Sequence, residues 1–133
     1  MQAFQSGCLL SSTVVLGVAA EHTFELLMEA IEKRNDWKIE FSSVLKERFI
    51  LNKLNKFREI TEKHIHKLPY GIKEDLDTSF LGIQTLIRNF RNESGHPTGK
   101  FIDREQTFVL LQLFIPYCRK LYALMDFFSS QNL

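Results

Sequence analysis

The chain has 133 residues and a formal charge of +1, from 17 Lys and Arg against 16 Asp and Glu. That length suits one domain whose core needs neither metal nor disulfide, and 44% hydrophobic with 25% charged residues excludes a disordered chain or a coiled-coil rod. The near-zero charge argues against a histone-like nucleic-acid binder unless charge is segregated within the fold.

Twelve Phe beside one Trp point to an aromatic-filled interior, because Phe fills space without needing a hydrogen-bond partner. The opening residues Met1 to Ser6 read as a short leading piece, with a bend at Gly7. They already follow the helical pattern, as a chain trimmed from a longer protein would. Leu9 to Ala20 (LLSSTVVLGVAA) has the apolarity of a signal-peptide core, yet no Lys or Arg precedes Lys33, so the basic leading region is missing. The run is also too short to span a bilayer. A core helix is the better reading, with Leu10, Val14, Gly17, Phe24, Met28 and Ile31 in one stripe at steps of three or four. Glu21 falls in the gap of that stripe.

Arg34-Asn35-Asp36 is a polar stop. The next helical segment runs from about Phe41 to Lys67, with Ile50, Leu54, Phe57 and Ile65 on its apolar side. Its polar face carries Lys46, Arg48, Lys53, Lys56, Arg58, Lys63 and Lys67 against Glu47, Glu59 and Glu62. The first segment is acidic in turn, with Glu21, Glu25, Glu29, Glu32 and Asp36 outnumbering Lys33 and Arg34. The neutral total is therefore a cancellation.

Leu68-Pro69-Tyr70-Gly71 reads as a turn. A third helix carries Leu76, Phe80, Ile83, Ile87 and Phe90 in a 4-3-4-3 stripe and ends near Gly95, because Pro97 pushes His96 out of helical geometry. After a loop to Ile102, Asp103 starts the last helix, with Gln106 as its capping-box partner. Phe108, Leu111, Ile115, Cys118, Tyr122 and Met125 are its expected core stripe, and Pro116 is expected to kink it. No run alternates as a strand does. The expected fold is all-α, a compact bundle of four to five helices forming one domain over residues 1–133. Cys8 and Cys118 lie in apolar runs without metal-ligand spacing, the pattern of free buried thiols in a reducing, cytoplasmic compartment.

The densest chemistry is Arg88 to Lys100 (RNFRNESGHPTGK). Arg91 and His96 are five steps apart, about 500° of rotation on an ideal helix, so they meet only if the helix ends between them. A guanidinium forks onto phosphate oxygens and an imidazole moves a proton near neutral pH. Together they suit phosphodiester chemistry. The same residues also fit a helix C-cap and turn with Arg91 as a solvated charge, and spacing alone does not separate the two.

Arg91-Asn92-Glu93-Ser94-Gly95-His96 resembles the R-N-x-x-x-H form of the motif of HEPN domains (higher eukaryotes and prokaryotes nucleotide-binding). Its position agrees, at the end of the penultimate long helix and before a final aromatic-rich one. Gly7 to Glu21 (GCLLSSTVVLGVAAE) also resembles the early HEPN helix, so the likeness covers nearly the whole chain. The resemblance implies an α-bundle that dimerises with its two motifs facing each other. It also implies a metal-independent endoribonuclease of the toxin or abortive-infection type, acting on single-stranded RNA. His96 would then be the general acid/base for attack of a ribose 2′-hydroxyl, Arg91 the phosphate clamp, and Asn92 a hydrogen-bonding partner of the phosphate.

Glu21 is expected to hold Arg88 or Arg91 in place, since a carboxylate in an apolar stripe is costly unless paired. The competing reading turns it to solvent. Lys100, Lys53 and Lys56 are candidate RNA contacts. His64 and His66 point about 200° apart on a helix and cannot share a metal, and His64 reads as a packed, hydrogen-bonded residue. No metal or other cofactor is expected. The expected partners are a second copy, RNA, and an antitoxin or larger defence protein, with no membrane. The alternative is a non-catalytic dimerisation or nucleotide-binding module, or an adaptor held by a partner chain.

Overall fold

The computed structural model describes the backbone of residues 2–95 and 104–131, and the side chains of residues 15–85, 87–88, 104–105, 108–109 and 111–131. Its elements are α1 (Gln2–Glu32), α2 (Asn35–Glu40), α3 (Ser42–Leu45), α4 (Ile50–Lys63), a 3-10 turn (Ile65–Lys67), α5 (Tyr70–Lys73), α6 (Leu76–Gly95) and α7 (Arg104–Ser130). No strand occurs among the described residues. The fold is an all-α bundle of four long helices, α1, α4, α6 and α7, joined by single-turn pieces.

The long helices pack where their stripes coincide. On α1, Ala20, Phe24, Leu27, Met28 and Ile31 are buried, as are Ile50, Leu54 and Phe57 on α4 and Leu76, Phe80, Ile83 and Ile87 on α6. α7 runs parallel to α1. Its Tyr117 hydroxyl donates to the Ala20 carbonyl at 3.1 Å, and farther along Arg34 donates to the Ser129 carbonyl at 2.8 Å. α6 runs antiparallel to α7, with Gly82 against Leu113 and Lys120 donating to the Gly71 carbonyl at 2.6 Å. A Cβ on Gly82 would lie 3.3 Å from Leu113 Cδ2, so the missing side chain lets these two helices approach closely. Asp75 takes a left-handed φ of 56° just before α6, a conformation Asp tolerates better than most residues.

Much of the core at one end is aromatic. Trp37 meets Phe128 edge-on at 4.9 Å between centroids, Phe41 stacks on Phe57 at 5.2 Å, and Phe57 reaches Phe24 and Phe80. The Trp37 indole N–H donates to the Gln131 carbonyl at 2.7 Å, so its one polar atom is satisfied. Such pairs add roughly 0.5–1.5 kcal/mol each beyond the area they bury.

Four expectations are corrected. Gly7 does not separate a leading piece, because α1 is one helix from Gln2 to Glu32; a single glycine costs only about 1 kcal/mol in a helix. The segment expected from Phe41 to Lys67 is broken at residues 46–49 and ends its α-helix at Lys63, since the break there is polar and its exposed Phe49 draws no burial. Tyr70 and Gly71 lie in α5, so the predicted turn is partly helical.

The fourth correction is the stripe of α7. Phe108, Leu111, Ile115 and Tyr122 are exposed, Cys118 and Met125 are half-buried, and the core is reached by Tyr117, Leu121, Leu124, Phe127 and Phe128. The helix is apolar on two sides, and stepping back one residue rotates the stripe by about 100°. α7 also continues across Pro116. Both Pro116 and Gln112 are exposed, so the carbonyl that loses its amide partner can be hydrated. The expected cap at Asp103 lies outside the described residues.

Candidate functional site at the end of α6

α6 is held on three sides before it reaches the candidate motif. Ile83 and Ile87 enter the core, Gly82 abuts α7, and the Gln84 side-chain amide donates to the Asn55 side-chain oxygen of α4 at 2.6 Å. Gln84 is itself buried, so this bond also satisfies an otherwise costly polar group. The backbone then carries Arg91 and Asn92 in the closing turns of the helix, Arg91 one turn beyond the buried Ile87. The side chains of Arg91 and Asn92, and the whole of His96 and Lys100, lie outside the described residues.

Of the supporting residues, Arg88 is exposed on α6 and Glu21 is half-buried on α1. Glu21 directly follows Ala20, whose carbonyl accepts from Tyr117, so α7 pins α1 beside it. Glu21 and Arg88 form no ion pair with each other among the described side chains. The expected pairing of Glu21 with Arg91 falls on a side chain outside the described residues.

The basic face of α4 is partly neutralised in space. Lys53 lies 3.5 Å from Glu25 of α1, Lys56 lies 2.7 Å from Glu47, and Arg58 bonds Asp77 of α6 at 3.2 Å. Lys56 holds the Glu47 carboxyl below its ordinary range by hydrogen bonding and charge, against a smaller opposing effect of burial. The acidic and basic segments thus meet across the bundle as well as cancelling in the total. Lys46, Arg48, Lys63 and Lys67 are exposed and have no acidic partner within ion-pair distance among the described residues.

His64 is packed as the sequence implied. Its Nε2 lies 2.9 Å from Glu40 Oε1 and its ring meets Trp37 edge-on at 5.6 Å. His66 is exposed. Cys118 is a free thiol, half-buried, and desolvation raises its pKa against the opposing Thr23 hydrogen bond. A thiol in that state is a poor nucleophile. Among the described residues no three His, Cys, Asp or Glu side chains come together as a metal site, and no described helix is long and apolar enough to cross a membrane.

Sequence reasoning missed two positioning contacts. Gln84 was not singled out, although its four-residue spacing from Phe80 places it on the inward side of α6. Tyr117 was passed over because the chosen stripe ran through Cys118. Its hydroxyl is buried, and desolvation raises its pKa well above the ordinary tyrosine range. Comparison with known families, with curated proteins and with solved structures gives no match to this chain.

Proposed function

We propose that the chain is a metal-independent endoribonuclease of the HEPN type, acting on single-stranded RNA as a homodimer. The observation that supports the reading is the position of Arg91-Asn92 on the penultimate long helix of an all-α bundle, one turn beyond the buried Ile87. In this reading Arg91 binds the scissile phosphate and stabilises charge developing in the transition state. His96 removes the 2′-hydroxyl proton and later returns a proton to the leaving 5′-oxygen. Asn92 hydrogen-bonds the phosphate. The 2′-oxygen forms a bond to phosphorus as the 5′-oxygen leaves, giving a 2′,3′-cyclic phosphate without a metal. The toxin or phage-defence role, and an antitoxin or larger defence partner, belong to the same reading.

Purified protein and its His96→Ala variant, incubated with unstructured RNA in EDTA, test it. Cleavage by the first and not by an equally folded second is the expected result. Equal inactivity of both, or cleavage lost with the chelator, defeats the proposal. The second reading is a non-catalytic helical docking module. The exposed apolar face of α7 favours it, because a large exposed apolar patch marks an interaction surface.

A further inference from the structure

The break between α3 and α4 joins an exposed aromatic ring to unpaired positive charge. Phe49 is 66% exposed, and Arg48 beside it and Lys46 three residues back are exposed too. Neither cation has an acidic partner within ion-pair distance among the described residues. The one acid of the break, Glu47, is turned back onto α4. Lys56 lies 2.7 Å from one of its oxygens, and the other accepts from the Arg48 backbone N–H at 3.3 Å. A single exposed apolar residue is ordinary on a surface. A ring set among unpaired cations, with the neighbouring acid withdrawn, instead matches a single-stranded nucleic acid, whose bases offer a face to stack and whose phosphates carry the charge.

The packing of α4 on α6 sets the break at the same end of the bundle as the candidate motif. Arg58 bonds Asp77 at 3.2 Å and Asn55 accepts from Gln84 at 2.6 Å, so the two helices run antiparallel. Seven residues on from Gln84 along α6 is Arg91, and seven back from Asn55 is Arg48. Each step is a displacement of roughly 10 Å in the same direction. Lys53 and Lys56, which the sequence marked as RNA contacts, are paired with Glu25 and Glu47; Lys46 and Arg48 are not. Lys63 and Lys67, the other exposed cations of this segment without an acidic partner among the described residues, lie at the opposite end of α4.

We propose that the break is a stacking subsite for single-stranded RNA, with one base on the Phe49 ring and the adjoining phosphates on Lys46 and Arg48. A strand seated there lies level with Arg91 along the bundle. Stacking accepts every base, because each has a π face, so the subsite adds affinity and places the strand without selecting its sequence. The choice of ligand rests on the RNA-cleaving reading, but the test reads binding alone.

The probe is a fluorescent, unstructured 2′-O-methyl oligonucleotide, whose blocked 2′-oxygen cannot attack phosphorus, titrated with the full chain and read by anisotropy. Wild type is expected to bind. Phe49→Ala and Phe49→Leu weaken binding by roughly tenfold, the scale of one lost stack, and Phe49→Trp retains it. Circular dichroism should show all three folded, since the side chain is exposed. Lys46→Gln with Arg48→Gln flattens the slope of log affinity against log salt by about 1.4, the share of two phosphate contacts. Lys63→Gln with Lys67→Gln leaves that slope as in wild type. An abasic strand of equal charge binds wild type and Phe49→Ala alike. Wild type that fails to bind, Phe49→Leu equal to wild type, or equal salt slopes for the two charge pairs overturns the proposal. Binding of anionic lipid vesicles through Phe49 without binding of the strand also overturns it and makes the patch a membrane contact. Wild type that binds through Phe49 yet cleaves no RNA defeats the nuclease reading and leaves the subsite standing; cleavage with binding indifferent to Phe49 does the reverse.

Discussion

The two faces of α7 are nearly equal in apolar content and opposite in fate. Tyr117, Leu121, Leu124 and Phe128 are buried against α1 and the aromatic cluster, whereas Phe108, Leu111, Ile115 and Tyr122 are exposed. Periodicity marks each face as a helix stripe but cannot say which one the fold uses. The inner face is chosen because it carries partners. Tyr117 reaches the Ala20 carbonyl, and Phe128 meets Trp37, Phe41 and Phe57. The outer face instead alternates its apolar residues with Glu105, Gln112, Arg119 and Asp126, all exposed, and no contact among the described residues draws it inward.

The largest effects are expected inside. Phe57→Ala removes a ring that touches four other aromatic residues, and a loss of about 3–5 kcal/mol is expected in urea unfolding. The comparison is sharper within α7. Leu124→Ala should cost about 2–5 kcal/mol, while Leu111→Ala, measured on dilute protein, should stay within about 0.5 kcal/mol. Equal losses at the two positions would mean that the faces are not distinguished as described. Tyr117→Phe keeps the ring and removes only the bond to Ala20, so a loss of about 1 kcal/mol is expected.

The smallest effect concerns charge. Glu47 has its folded pKa lowered by Lys56, so its contribution is present above the unfolded-state pKa and is lost as pH falls through the folded one. Lys56→Gln should move the Glu47 titration upward, read by carboxyl NMR, and flatten stability across that acidic window. An unmoved Glu47 titration would show that Lys56 is not its controlling partner.

Much of the fold was legible because long helices repeat their signal. Phe24, Met28 and Ile31, then Ile50, Leu54 and Phe57, then Leu76, Phe80, Ile83 and Ile87 were each read as core and are buried. Trp37 was not read as a core residue, since a six-residue helix contains too few turns to show a period. Its burial rests on Phe41, Phe127 and Phe128, contacts made between elements distant in sequence. At the candidate site, the helix ending expected from Pro97 falls at the limit of the described residues, since His96 and Pro97 lie outside them. The pairing of Lys53 with Glu25 was not legible, because which acidic residue faces which lysine depends on how α1 and α4 pack.

The central claim concerns the Arg91 segment, and the ends left on cleaved RNA test it most directly. A single-stranded RNA labelled at its 5′ end is incubated in EDTA with wild type, Arg88→Ala and Arg91→Ala, and the new 3′ ends are identified by mass. The account predicts 2′,3′-cyclic phosphate ends from wild type and their loss with Arg91→Ala, whatever Arg88→Ala does. Uncleaved RNA throughout, or cleavage that survives in folded Arg91→Ala, would contradict it.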